Sequence, residues 1–380
     1  MTAITAKSLP TAPGPRATGM PAPLSVYLDL VRFAAAVLVF LMHSHYFLTP
    51  QLTYFVSYGR ESVAIFFVLS GFVIAFVSNE KETDWRDYSI ARLSRIYSVA
   101  IPAILVTIGA DFIGTRYNFS AYEELIFYRP ESVDSVLSYL LFANQLWFRH
   151  VVLGACEPYW SLGFEVWYYV IFGLYFYVWP TGAKYLFIVL ALLICGPKVV
   201  MYFPLWLFGC LAYVVVKRDA VSREMGMAFF VGSAALLILL FKVLYRQITP
   251  TLMFRTYAFA QELSNFAYFH ILGLLVTINI VAFAAMTRHR RLWPAWLERG
   301  IRWAAGASFT LYLAHQPIEI MISAVWPQCR ENLAYGLIAV AATLLVVFVL
   351  AEFTERRKKL LASWIRPLFF ADGRRHTGVS

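Results

Sequence analysis

The chain has 380 residues, of which 60% are hydrophobic and only 14% charged, with a formal net charge of +10. Soluble domains are usually about 25% charged and under about half apolar. With a mean hydropathy of +0.64, the composition excludes an ordinary soluble domain and points to an all-α, polytopic membrane helix bundle.

Residues 1–23 are rich in Pro, Thr, Ala and Gly and have no apolar core region. They read as a disordered tail and not as a signal peptide. Ten candidate spans follow, at roughly 25–47, 62–79, 96–113, 160–180, 183–196, 198–217, 227–245, 266–287, 303–325 and 333–353. Each is near the length of about 20 residues that crosses a bilayer. The further apolar run 136–148 reads as interfacial or re-entrant. One transmembrane domain, 24–355, then gives way to a basic tail, 356–380.

The basic residues punctuate the apolar runs, as topology signals do, so the net charge is not read as a nucleic-acid surface. With the N-terminus in the cytoplasm, the inside segments hold Arg86, Arg92, Arg95, Lys217, Arg218, Arg299, Arg302 and the C-terminal tail. The segment 114–159, placed outside, carries Glu123, Glu124, Glu131, Asp134 and Glu157. Both termini are therefore expected in the cytoplasm, and an odd number of spans would spoil the pattern. The four cysteines form no CxxC pair, so no metal or redox motif is read. Cys156 and Cys329 fall in outside segments, and sequence supplies no distance to decide whether they pair.

Ionisable side chains inside spans are costly, face the bundle interior and mark function. The first span carries Arg32 and His43. Eleven residues at about 100° each return to nearly the same face, roughly 16.5 Å further along. The two therefore share one stripe, while His45 points elsewhere. Asp29 is placed to pair with Arg32. His43 reads either as a packing histidine or as a group on a polar cavity wall; Arg32 on its stripe favours the cavity. In WSLGFEVWYY (160–169), Ser161 and Glu165 share a face, with Tyr168 and Tyr169 one turn on. Glu165 either orients a histidine, binds a hydroxyl or stays protonated in a structural role. In GASFTLYLAHQPIEI (306–320), Ser308, Tyr312, His315 and Glu319 share a face, and Pro317 is expected to free backbone carbonyls beside His315. RDYSIARLSRIY (86–97) is read as a loop into the third span. Its Arg92 and Arg95 are either ordinary flanking charges or a grip for phosphate, whose geometry suits guanidinium.

Taken in order, these motifs resemble those of the membrane acyltransferase-3 family. The match comprises Arg32 and His43 at their spacing, VAIFFVLSGFVI (63–74), ARLSRIY (91–97), WSLGFEVWYY and GASFTLYLAHQP (306–317). It runs from Tyr27 to Pro317 and departs at Ser62, Ser98 and Phe309, where the family favours glycine, proline and tyrosine. The resemblance implies a bacterial cytoplasmic-membrane enzyme. Its donor would be acyl-CoA, most often acetyl-CoA, used as co-substrate with no bound cofactor and no metal. Its acceptor would be a hydroxyl of a polysaccharide or lipid-linked glycan. Arg32, Arg92 and Arg95 would then bind the donor. His43 would act as general base or carry the acyl group itself, helped by Glu165. Ser161, Tyr168, Ser308, Tyr312 and His315 would serve the acceptor or the packing. A secondary transporter or flippase suits the same span count and interrupted helix. A third reading is a non-enzymatic partner in polysaccharide synthesis.

Overall fold

A computed structural model describes residues 19–55, 58–178, 181–241, 259–288, 290 and 292–370. Its regular elements are helices: α1 (Ala22–Phe47), α2 (Gly59–Glu80), α3 (Trp85–Tyr117), α4 (Phe119–Glu123), α5 (Val133–Leu140), α6 (Trp160–Tyr177), α7 (Thr181–Cys195), α8 (Pro197–Arg218), α9 (Arg223–Leu239), α10 (Phe259–Thr287), α11 (Ala295–Ala305), α12 (Ser308–Val325), α13 (Leu333–Phe353) and α14 (Lys358–Phe369). Among the described residues, six segments are long and apolar enough to cross a membrane: α1, α2, α3, α8, Asn265–Thr287 within α10, and the stretch Leu333–Phe369 that begins with α13.

The other four predicted spans also fall on helices, α6, α7, α9 and α12, which are shorter or less apolar. For α6 and α12 the reason is composition, since they carry Tyr, Trp, Glu, His and Gln where a lipid-facing helix carries aliphatics. Buried in protein, they need no apolar surface. The predicted span 227–245 runs beyond residue 241, and the predicted tail over 1–23 lies outside the described residues as far as residue 18.

Three boundaries differ from those read in the sequence. The expected loop before the third span is helix, because α3 starts at Trp85 with the Asp84 carboxylate accepting from Asp87 N at 2.9 Å. Arg92 and Arg95 therefore sit within a helix. The ninth predicted span breaks at Gly306 and Ala307 into amphipathic α11 and buried α12. Here Glu355 Oε2 accepts from Phe309 N at 3.1 Å and Thr310 N at 3.0 Å, capping α12 from a distant part of the chain. The apolar run 136–148 is helical only to Leu140 and then turns, with Phe142 and Trp147 at positive φ. Within the basic C-terminal stretch, α14 docks on α3, and Arg366 reaches Asp87 at 3.3 Å.

Helix α12 is the hub of the bundle. Every residue from Thr310 to Ile320 is buried, against α1, α3 and α13. Pro317 cannot donate to the Leu313 carbonyl. That carbonyl accepts instead from Cys156 Sγ at 3.5 Å, so the loop after α5 takes up the freed group. Cys156 and Cys329 are free thiols in separate buried clusters.

Helices α2 and α8 meet through glycine on both sides. A Cβ on Gly71 would stand 1.9 Å from the Trp206 carbonyl, and one on Gly209 would stand 1.9 Å from the Val68 carbonyl. Only hydrogen at both positions lets the backbones approach this closely. The approach brings Ser70 and Trp206 together.

Candidate functional site

The helices α1, α2, α3, α6 and α12 enclose a cavity of about 910 Å³ including its open mouth. Its polar lining comes from Asp29 and Arg32 on α1, Ser70 on α2, Arg95 on α3, Ser161, Glu165 and Tyr169 on α6, and Ser308 and Tyr312 on α12. Five helices from separate parts of the chain thus supply one polar interior surface.

At one end the chemistry is ionic. Arg32 Nη2 donates to Asp29 Oδ1 at 2.9 Å and to the Ala305 carbonyl at 3.2 Å. Asp29 Oδ2 accepts from Arg302 at 3.2 Å, so one carboxylate is shared by two guanidinium groups. Arg32 Nε is buried without a partner among the described residues, an unmet donor of the kind a ligand satisfies. Arg95 lines this end of the cavity, whereas Arg92 does not. Arg92 Nη2 donates to Glu82 Oε1 at 2.6 Å, with the two side chains 10% and 11% exposed. Its guanidinium also lies over the Tyr88 ring. Burial pushes the Glu82 carboxyl up from its ordinary range, against the opposing pull of Arg92.

Deeper in, Glu165 Oε1 accepts from Ser70 Oγ at 2.6 Å and from the Tyr169 hydroxyl. Trp206 Nε1 donates to Ser70 at 3.2 Å, which fixes the serine from behind. The carboxylate is thus held through one oxygen. Ser161 and Tyr312 share a hydroxyl–hydroxyl bond of 2.8 Å between α6 and α12. Ser308 Oγ donates to the Ala305 carbonyl at 2.5 Å. Tyr168 is different: fully buried, it donates to the Val199 carbonyl at 2.9 Å and packs among Phe67, Phe203 and Trp206. It serves packing.

Past Tyr312, one turn further along α12, the polar groups are hydrogen-bonded to one another. His43 Nδ1 lies 2.8 Å from His315 Nε2, and His315 Nδ1 lies 2.7 Å from the Leu311 carbonyl. Ser44 donates to Glu319, a contact between the next residue of α1 and the next turn of α12. His43 stands outside the cavity lining itself and is half-buried, stacked on Phe47. His45 points away from this group, and its ring lies against Tyr46.

The structure therefore gathers Arg32, Arg95, Ser161, Glu165, Ser308 and Tyr312 around one cavity and joins His43 to His315 at its far end. Sequence reasoning missed Ser70, Trp206, Arg302 and Glu355. Ser70 stood within the quoted VAIFFVLSGFVI motif and was a findable polar residue in an apolar run. Trp206 and Glu355 carried no local signal, because their partners lie more than 40 residues away. Among the described residues no group of three or more His, Cys, Asp or Glu side chains is placed to hold a metal ion.

Compared with known proteins, residues 25–352 match a family model described as an acyltransferase domain, of acyltransferase type 3. No curated protein and no solved structure matches the chain.

Proposed function

The chain belongs to the acyltransferase-3 family, and on that premise we propose that it moves an acyl group, acetyl in the first instance, from acyl-CoA to a hydroxyl of a cell-surface or lipid-linked glycan. The observation that carries this reading is an arginine-lined cavity whose wall residue Tyr312 lies one turn before His315, the partner of His43. Arg32 and Arg95 face the cavity at one end, and guanidinium is suited to the phosphates of CoA. The acyl end of the donor reaches toward Tyr312, one turn from the residue that bonds His43.

His43 is the base. As the hydroxyl oxygen bonds to the thioester carbonyl carbon, its proton passes to the imidazole. The tetrahedral intermediate then collapses, the C–S bond breaks, and the departing CoA thiolate takes that proton. Glu165, held by Ser70 and Tyr169, accepts a hydrogen bond from the sugar and orients it. Arg92 supports the mouth through Glu82 without facing the cavity.

The same proposal places the protein in a bacterial cytoplasmic membrane, with about ten spans and both termini in the cytoplasm, as the charge asymmetry favours. Release of free CoA thiol from acetyl-CoA by the purified protein in detergent tests the donor. Mass spectrometry of surface glycans from cells with and without the protein identifies the acceptor and the added mass together. No thiol release and no mass difference would end the reading.

A further inference from the structure

We propose that His315 is a positioning residue that fixes the tautomer and ring plane of His43, so that His43 presents an unprotonated Nε2 as the base. The catalytic consequence rests on the acyl-transfer reading; the tautomer assignment rests on geometry alone.

The hydrogen-bonded chain ends on a group that cannot donate. The Leu311 carbonyl only accepts, and His315 Nδ1 lies 2.7 Å from it, so the hydrogen of His315 is on Nδ1. A neutral imidazole with hydrogen on Nδ1 carries its lone pair on Nε2. That lone pair faces His43 Nδ1 at 2.8 Å, so His43 must also hold its hydrogen on Nδ1. His43 Nε2 is left with its lone pair and no hydrogen bond among the described residues, on a residue that is only half-buried.

The surroundings hold both rings in place. Phe40 meets the His315 ring edge-on at 5.9 Å, and Phe47 stacks on His43 at 6.2 Å. The nearby carboxylate, Glu319, accepts from Ser44, so the chain of donors ends on a backbone carbonyl. Both nitrogens of His315 are committed, one to Leu311 and one to His43, which leaves His43 Nε2 as the free base of the pair. During transfer Nε2 takes the hydroxyl proton, and the resulting imidazolium is stabilised through Nδ1–H by the His315 lone pair. Nε2 then returns the proton to the CoA thiolate. His315 keeps its own hydrogen throughout. The division of labour is that of any base held by a second group.

Two variants and one spectrum test this. Glutamine places its carbonyl oxygen near the position of imidazole Nε2, so His315→Gln retains an acceptor for His43 Nδ1; His315→Leu removes it. With acetyl-CoA as the probe, kcat for CoA release should fall about 100-fold in His315→Leu at unchanged KM, and recover at least about tenfold in His315→Gln. Nitrogen-15 NMR of histidine-labelled protein in liposomes, with His43 assigned by its loss in His43→Gln, should show His43 protonated on Nδ1 and bare on Nε2. His315→Leu should mix the two tautomers. A wild-type spectrum with hydrogen on His43 Nε2 would overturn the proposal even if neither His315 variant folds. Full kcat and an unchanged His43 signal in His315→Leu would also overturn it, since the tautomer of His43 would then not depend on His315. Wild-type protein with the expected tautomer but no CoA release would sink the acyl-transfer reading and leave the tautomer assignment standing.

Discussion

The two ends of the Arg32–His43 stripe on α1 differ in kind. At the Arg32 end, charges are shared among Asp29, Arg302 and the nearby Glu355 and Arg95, and the groups open on a cavity. At the His43 end, the partners are a second imidazole, a serine–carboxyl pair and a backbone carbonyl, closely packed. An open ionic end can hold a polyanion and exchange it, because guanidinium groups keep their charge in every state. A closed end with directed hydrogen bonds can hold a ring to one tautomer, which proton transfer needs and charge alone does not supply. The ends should therefore fail differently when altered.

The largest effect belongs to the closed end. His43→Ala should lower kcat for CoA release by about 10²–10⁴-fold while acetyl-CoA binding survives; titration calorimetry beside the turnover assay separates the two. Retention of most wild-type turnover in a folded variant would remove His43 from the chemistry. Next come Arg32→Ala and Arg95→Ala. Each should raise the KM for acetyl-CoA about tenfold, with little change in kcat, and the defect should deepen with added salt. An equal kcat loss at both ends would erase the contrast between them.

Arg92→Ala sharpens it further. Since Arg92 pairs with Glu82 away from the cavity, its loss should lower stability, by about 1–3 kcal/mol, and leave KM nearly unchanged. The sign of its pH dependence follows from Glu82. Burial already raises that carboxyl, and without Arg92 it rises further. A raised carboxyl binds its proton more readily folded than unfolded, so the folded state weakens as pH climbs through the interval between the two values. The melting deficit of Arg92→Ala against wild type should be widest at alkaline pH and narrow as pH falls. The smallest effects are expected of Tyr168→Phe, which gives up one buried hydrogen bond to Val199, about 1 kcal/mol. Its turnover should remain normal, in contrast to Tyr169→Phe, which unloads Glu165.

Sequence alone determined the helical, membrane-spanning class and located helices at the ten apolar runs, though it set the start of the third about ten residues late and missed the break in the ninth. It also determined the pairing of Asp29 with Arg32 and the shared faces of Ser161 with Glu165 and Ser308 with Tyr312 and His315. These follow from hydropathy and from the helical repeat, both of which act over a few residues. Tertiary structure decided which of those faces meet. That His43 bonds His315, 272 positions away, that Arg95 faces the cavity while Arg92 turns to Glu82, and that Glu355 caps α12 are all outcomes of packing. Helical periodicity specifies an angle about one axis. It carries no information on the distance or rotation between two axes, and here those were set by the close approach of α2 and α8 at Gly71 and Gly209 and by the burial of α12 on every side.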